Sequence, residues 1–373
     1  MSKNNAAESI RGLACMAVVF SHLSLTFYPY LHNFDKLTTS GNQTLDLLHD
    51  LPFGFLYSGT GAVFVFFVLS GYVLSYAILS KKNTTLKIKS MALKRYPRLA
   101  IPAGFSGLVA FAALFTSIDS SHLPGNFVSH YHAQNYTLLQ CLYEGFIGSF
   151  LFGQANTNFV LWTMQVELFA SFMLFALLYV YTINKKLFVF LSLIAPLPFI
   201  LISSPALLGA YGFVAGSFLF LYGKKIPTHI AMILLIVGLY CAGINETSQS
   251  YQLFSALGTK AYILLNFLSG LLIVSSVLLN DKISASLNKK SLVKLGELSF
   301  SIYLLHLPLI CLIAVPVFNL IFTKSNSYLL AALLAALACI IFVLFSANFY
   351  SKYIDQLSIR VANKIESVMT REA

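Results

Sequence analysis

The stretch Ile10-Arg11-Gly12-Leu13-Ala14-Cys15-Met16-Ala17-Val18-Val19-Phe20-Ser21-His22-Leu23-Ser24-Leu25-Thr26-Phe27-Tyr28-Pro29-Tyr30-Leu31 decides the fold. It is mostly apolar and falls within the range of about 17–25 residues that a helix needs to cross a bilayer core. It exceeds the apolar core of a typical signal peptide, lacks a small-residue cleavage pattern and carries both Arg11 and His22, so it reads as a retained span.

Working outward, similar stretches occupy residues 57–79, 99–118, 159–182, 257–279, 299–322 and 328–349. Three weaker ones lie near 187–203, 207–222 and 229–243, broken at Ser203-Ser204-Pro205 and at Gly223-Lys224-Lys225-Ile226-Pro227. Of the 373 residues 58% are hydrophobic and only 10% charged, against about 25% charged in soluble domains. That balance excludes a soluble enzyme, a disordered regulator and a disulfide scaffold. The sequence predicts an all-α polytopic membrane protein of about ten transmembrane helices. In the stretch 138–153, Gln140, Glu144 and Gly148 recur at i, i+4 and i+8. A polar stripe of this kind predicts an additional interfacial or re-entrant helix rather than a span. Residues 1–350 read as a single transmembrane domain and 351–373 as a short cytoplasmic tail.

With ten spans and 138–153 left outside the count, the loops alternate in charge. One side receives 20 of the 24 basic residues and the other only Lys36, Lys260 and Lys324, with Arg11 inside the first span. Cytoplasmic loops carry the excess of Lys and Arg, so both termini are expected in the cytoplasm. This distribution accounts for the net charge of +11 without a nucleic-acid partner; the expected surroundings are membrane lipids. The five cysteines, each in an apolar stretch, offer no metal spacing and no disulfide framework.

Ionisable residues inside a bilayer cost about 2.5–3.5 kcal/mol each on insertion scales, so they face a cavity or a partner. Arg11 and His22 are eleven residues apart, which returns to within about 20° of the same helix face with a rise of about 16 Å. Arg11 alone reads as a snorkelling anchor; His22 in mid-helix has no such ordinary explanation beyond a hydrogen-bonded core histidine. Glu167, in Trp162-Thr163-Met164-Gln165-Val166-Glu167, sits about 12 Å below the outer edge of its span. A carboxylate at that depth suits an imidazole that needs its tautomer fixed, or a plain inter-helix ion pair. Tyr303 and His306 share a face, and Pro308 frees a carbonyl in the turn before it, opening a cavity wall. Lys94-Arg95-Tyr96-Pro97-Arg98 reads either as positive-inside anchors or as guanidinium groups for donor phosphates.

Together these segments resemble the acyltransferase family 3 membrane proteins, which include bacterial O-antigen and peptidoglycan O-acetyltransferases. The matching motifs occur in order. They are Arg11-Gly12-Leu13-Ala14 followed by His22; Phe66-Phe67-Val68-Leu69-Ser70-Gly71-Tyr72; Arg95, Arg98 and Pro102; Trp162-Thr163 followed by Glu167; and Ser301-Ile302-Tyr303-Leu304-Leu305-His306-Leu307-Pro308. The stretch from 187 to 279 carries no matching motif. The resemblance implies a ten-helix domain of the bacterial inner membrane. Such a domain moves an acyl group, most often acetyl from cytosolic acetyl-CoA, to a hydroxyl of a glycan or lipid-linked sugar. O-antigen or another surface polysaccharide is the expected acceptor. It also implies that His22 is catalytic, that Arg11 is required, that Glu167 is an acidic site position, and that Lys94, Arg95 and Arg98 belong to the donor site. Trp162, Ser70, Tyr303 and His306 would line the site. Some members carry a C-terminal extracytoplasmic hydrolase-like domain; this sequence shows none.

A hydroxyl is a poor nucleophile at neutral pH, so an imidazole such as His22, supported by Glu167, would take its proton while a thioester is attacked. Transient acylation of His22 is equally compatible with the residues. The outer segments hold His122, Asn126, His130, His132 and Asn135, groups suited to a glycan. No metal is expected, because His130-Tyr131-His132 is a weak ligand motif, and no permanently bound cofactor is expected, acyl-CoA being a substrate. The competing reading is a transporter that uses the same buried residues for ion coupling.

Overall fold

A bilayer core offers no water to backbone groups, so each crossing must satisfy them within its own helix. In the computed structural model, which describes residues 5–32, 43–115, 119–132, 136–258 and 260–369, helices do so, and no strand occurs among the described residues. The first three long helices are α1 (Asn5–Phe27), α2 (Gly59–Leu79) and α3 (Thr84–Leu114). A shorter apolar helix, α4 (Leu138–Leu151), precedes α5 (Phe159–Ile183). Then come α6 (Lys185–Ile194), α7 (Ser204–Tyr222), α8 (Thr228–Ala242) and α9 (Lys260–Leu278). The chain closes with α10 (Lys290–Ser325), α11 (Tyr328–Tyr350) and α12 (Gln356–Met369).

Among the described residues, eight helical runs are long and apolar enough to cross a membrane. The remaining two crossings of a ten-span count fall to α8, with 15 residues, and to α6 continued by the 3-10 turn Leu197–Leu201. The break between α6 and α7 is a helix cap: Ser203 Oγ accepts from Ala206 N at 3.1 Å, with Pro205 in the first turn of α7. Asn184 Oδ1 likewise accepts from Lys186 N and Leu187 N to start α6. Several helix starts differ from the sequence expectation: α1 begins at Asn5 rather than residue 10 and α10 at Lys290 rather than residue 299, and the largest difference is at α3. The third span was read from residue 99, but α3 begins at Thr84, capped by Asn83 Oδ1, so its basic stretch is helical. The expected end of that span, Ile118, lies outside the described residues.

Glycines set which helices meet. A Cβ on Gly12 would come within 2.7 Å of Gly296 N, and one on Gly296 within 2.0 Å of Glu8 O. Helices α1 and α10 therefore touch backbone to backbone, as small residues permit in membranes. The same device joins α2 to α7, where a Cβ on Gly71 would meet Phe213 O at 2.0 Å.

Helix α4 dips into the protein rather than lying free. A Cβ on Gly107 of α3 would meet Cys141 O at 2.5 Å. Glu144, 6% exposed, accepts from Asn156 Nδ2, Thr157 N and Thr157 Oγ1, each at 2.8 Å. It opens a π-turn, Glu144–Gly148. The segment after residue 350 is more than a trailing tail: a π-turn at Ser351–Asp355 joins α11 to α12 in one helical run. Helix α12 packs along the basic start of α3, where Lys94 and Glu366 form an ion pair.

Candidate active site

The α1–α10 seam brings the two mid-helix histidines together. His22 Nδ1 lies 2.7 Å from His306 Nε2, with ring centroids 5.0 Å apart and planes 15° from parallel. His306 is fully buried, and its Nδ1 lies 3.1 Å from Ile302 O, four residues earlier on the same helix. A carbonyl oxygen only accepts, so His306 Nδ1 carries the hydrogen and His306 Nε2 is the lone-pair nitrogen. His22 Nδ1–H then donates to it. The remaining nitrogen, His22 Nε2, is left as a lone pair, and it makes no hydrogen bond to a described residue. Phe127 stacks on the His22 ring at 5.6 Å. His22 is five residues before the C-terminal end of α1, about 7–8 Å by helical rise.

The expected contact between His22 and Glu167 is not made. Glu167 Oε2 instead accepts from Arg95 Nη2 at 2.5 Å, and Oε1 accepts from Ser70 Oγ at 2.9 Å. Both oxygens are thereby committed across α2, α3 and α5, and the charge of Arg95 compensates that of the carboxylate. Sequence depth alone had made Glu167 the natural partner of an imidazole; the glycine seam gives that place to His306. Arg95 Nε is buried without a hydrogen-bond acceptor among the described residues, which makes it a free donor within the protein.

Arg11 spans the same seam nearer the basic end. Its Nε donates to Ser299 Oγ and its Nη2 to Gly296 O, both at 3.0 Å, and it pairs with Glu8 at 2.7 Å. Tyr303, one turn below His306, donates from Oη to Val160 O at 2.8 Å and meets Thr163 Oγ1 at 3.0 Å. Ser299, Tyr303 and His306 thus form a polar line along α10 from Arg11 to the histidine pair. Asn158, also fully buried, ties the start of α5 to this helix through Nδ2 to Leu304 O at 3.0 Å.

Other predicted residues fall at the margins. Trp162 is 37% exposed at the head of α5. Lys94 is engaged by Glu366, and Arg98 is exposed. In the segment between α3 and α4 His122 packs on Phe322 at 4.9 Å, whereas the side chains of His130 and His132, and all of Asn135, lie outside the described residues. Beyond the C-terminal end of α1, His32 Nε2 meets Ser24 Oγ at 2.6 Å. Burial pushes the His32 pKa down to about 4. The sequence signal for the pair was the isolated imidazole in each of two spans; nothing in the spacing foretold Phe127, Asn158 or Ser299.

The arrangement holds an imidazole with a defined lone pair in the half of the helix bundle away from the basic loops. A polar line connects it to a cluster of arginines toward the basic end. A family model described as an acyltransferase domain matches residues 4–350. No curated protein and no solved structure matches the chain.

Proposed function

The chain belongs to the acyltransferase domain family, and from that premise we propose that it is an O-acyltransferase of the bacterial inner membrane with His22 as general base. The donor is acyl-CoA, most simply acetyl-CoA, approaching from the cytoplasmic face beside Lys94, Arg95 and Arg98. The acceptor is a hydroxyl on an envelope glycan or lipid-linked sugar, with O-antigen or another surface polysaccharide as the leading class. The supporting observation is the His22–His306 pair, which leaves His22 Nε2 unprotonated near the outer end of α1.

The steps balance on this chain's own groups. His22 Nε2 accepts the acceptor's hydroxyl proton as the oxygen bonds to the acyl carbon and the carbon–sulfur bond breaks; the CoA thiolate leaves and the proton is passed on to it. The imidazolium formed at His22 strengthens its Nδ1–H bond to His306, the part first expected of Glu167. Glu167, with Ser70, instead fixes Arg95, whose Nε remains available to a phosphate or carbonyl oxygen. Both ends of the chain lie in the cytoplasm in this reading, in accord with the distribution of basic residues.

The test is the base-labile acetyl content of purified surface glycans, read by mass spectrometry and NMR. Cells lacking the protein are compared with cells expressing wild type or His22→Ala at matched membrane levels. Acetyl on one sugar with wild type alone supports the proposal and identifies the acceptor. Full acetylation with His22→Ala would remove His22 from the chemistry. Identical glycans in all three strains would count against the glycan acceptor.

A further inference from the structure

Basic residues in and beside the proposed donor site lie among carboxylates of the protein itself. Arg95 pairs with Glu167 and Arg11 with Glu8, while Lys94 pairs with Glu366. Asp355 accepts from Ser301 Oγ at 3.0 Å, two residues along α10 from Ser299, the acceptor of Arg11 Nε. Two of these four acids, Asp355 and Glu366, come from the segment beyond residue 350, where the family match ends. That segment is built against the site: Tyr350 Oη bonds to Pro102 O on α3, a π-turn places Asp355 beside α10, and α12 runs along α3.

Acyl-CoA and CoA carry the same phosphates. Positive charge that grips them holds substrate and product alike, so it lowers KM without speeding the chemistry, and excess grip makes product release limiting. An acid placed among such cations competes with the phosphates and weakens both complexes. We propose that Asp355 and Glu366 set donor affinity: the C-terminal segment supplies two carboxylates that offset the basic donor site and let CoA leave. The inference rests on the reading of Lys94, Arg95 and Arg98 as the donor site.

The experiment measures CoA binding and acetyl-transfer kinetics on full-length protein in lipid nanodiscs. Asp355→Asn, Glu366→Gln and the double variant are compared with wild type. Asp281→Asn is the control, because Asp281 pairs with exposed Lys225, away from α3. The double variant is expected to bind CoA about three- to tenfold more tightly at low salt, an advantage that shrinks at high salt. Its KM for acetyl-CoA and its kcat fall together, and inhibition by CoA rises. Asp355→Asn, which preserves the side chain's shape, is expected to give about two- to threefold of this alone and covers the case in which loss of Glu366 loosens α12. Equal or weaker CoA binding by Asp355→Asn and the double variant overturns the inference, as does an equal gain from the Asp281 control. Absence of CoA binding by wild type would instead overturn the donor reading, and this inference with it.

Discussion

The hydrogen-bond chain Ile302–His306–His22 makes a specific demand on His306, which has to present an unprotonated Nε2 to its neighbour. His306→Ala removes that acceptor and the imidazolium's partner while leaving the rest of α10 in place. The expected result is a fall in kcat of about a hundredfold with KM for donor and acceptor nearly unchanged. His306→Gln, whose carbonyl can accept, should recover part of the loss. Unchanged kcat in His306→Ala would show that His22 needs no orienting partner. At His32 the prediction concerns stability. Its folded-state pKa of about 4 lies below the ordinary 6.5, so the ring folds neutral and acid charges the unfolded chain first. The stability it permits is whole above about pH 6.5 and declines toward pH 4, by as much as about 3 kcal/mol. Thermal midpoints of purified protein between pH 7.5 and 4.5 should fall less steeply in His32→Gln than in wild type. Equal slopes would mean that His32 stays solvated. At this scale the sequence disclosed which residues matter more readily than which ones meet. Spacing placed Arg11 and His22 on one face and Tyr303 and His306 on another, yet spacing within a helix carries no information about its neighbours. Glu167 matched His22 in depth, and depth was insufficient.

Partner choice belongs to the elements, through glycine. Gly12 and Gly296 let α1 and α10 approach until a side chain on either would meet backbone of the other, and that approach seats His22 against His306. Backbone cannot step aside as a flexible side chain can, so Gly296→Ala must separate the helices. A cost of about 1–3 kcal/mol is expected from overpacking. Activity should drop further than folded yield, because a displacement of about 1 Å opens a 2.7 Å hydrogen bond. A useful comparison is Gly258→Ala, at a loop position where a Cβ meets nothing within 4 Å but φ is +55°; strain there should lower stability and spare kcat. Wild-type kcat in Gly296→Ala would refute the seam's role. The helices themselves were legible because apolar runs of membrane length have few alternatives, and the break at Ser203-Ser204-Pro205 is a readable cap. The start of α3 was not, since residues 84–98 are polar and charged. Their helix is stabilised by packing against α12 and by the Lys94–Glu366 pair, interactions between residues far apart in sequence.

For the whole molecule, sidedness turns on its two thinnest crossings. If Lys185–Leu201 and α8 both traverse the bilayer, the chain crosses ten times and the basic loops share one face. The Lys225–Asp281 pair at 2.5 Å already joins the loop after α7 to the segment after α9, so α8 and α9 return the chain to the face it left. This closure is independent of the charge rule that predicted the same alternation. It leaves α6 as the deciding element, since removing that crossing would place Lys186 and Lys225 on opposite sides. All five native cysteines are buried, so a membrane-impermeant maleimide should report only introduced thiols. With ten crossings, cysteines at the exposed positions Lys186, Lys225 and Lys364 should resist labelling in intact cells and react in inverted vesicles, whereas one at exposed Glu246 should do the reverse. Labelling of Lys225→Cys and Lys186→Cys from opposite sides would show that α6 does not cross. That outcome would also separate the proposed donor cluster on α3 from the Lys225–Asp281 face, and so reposition the control used to test Asp355 and Glu366.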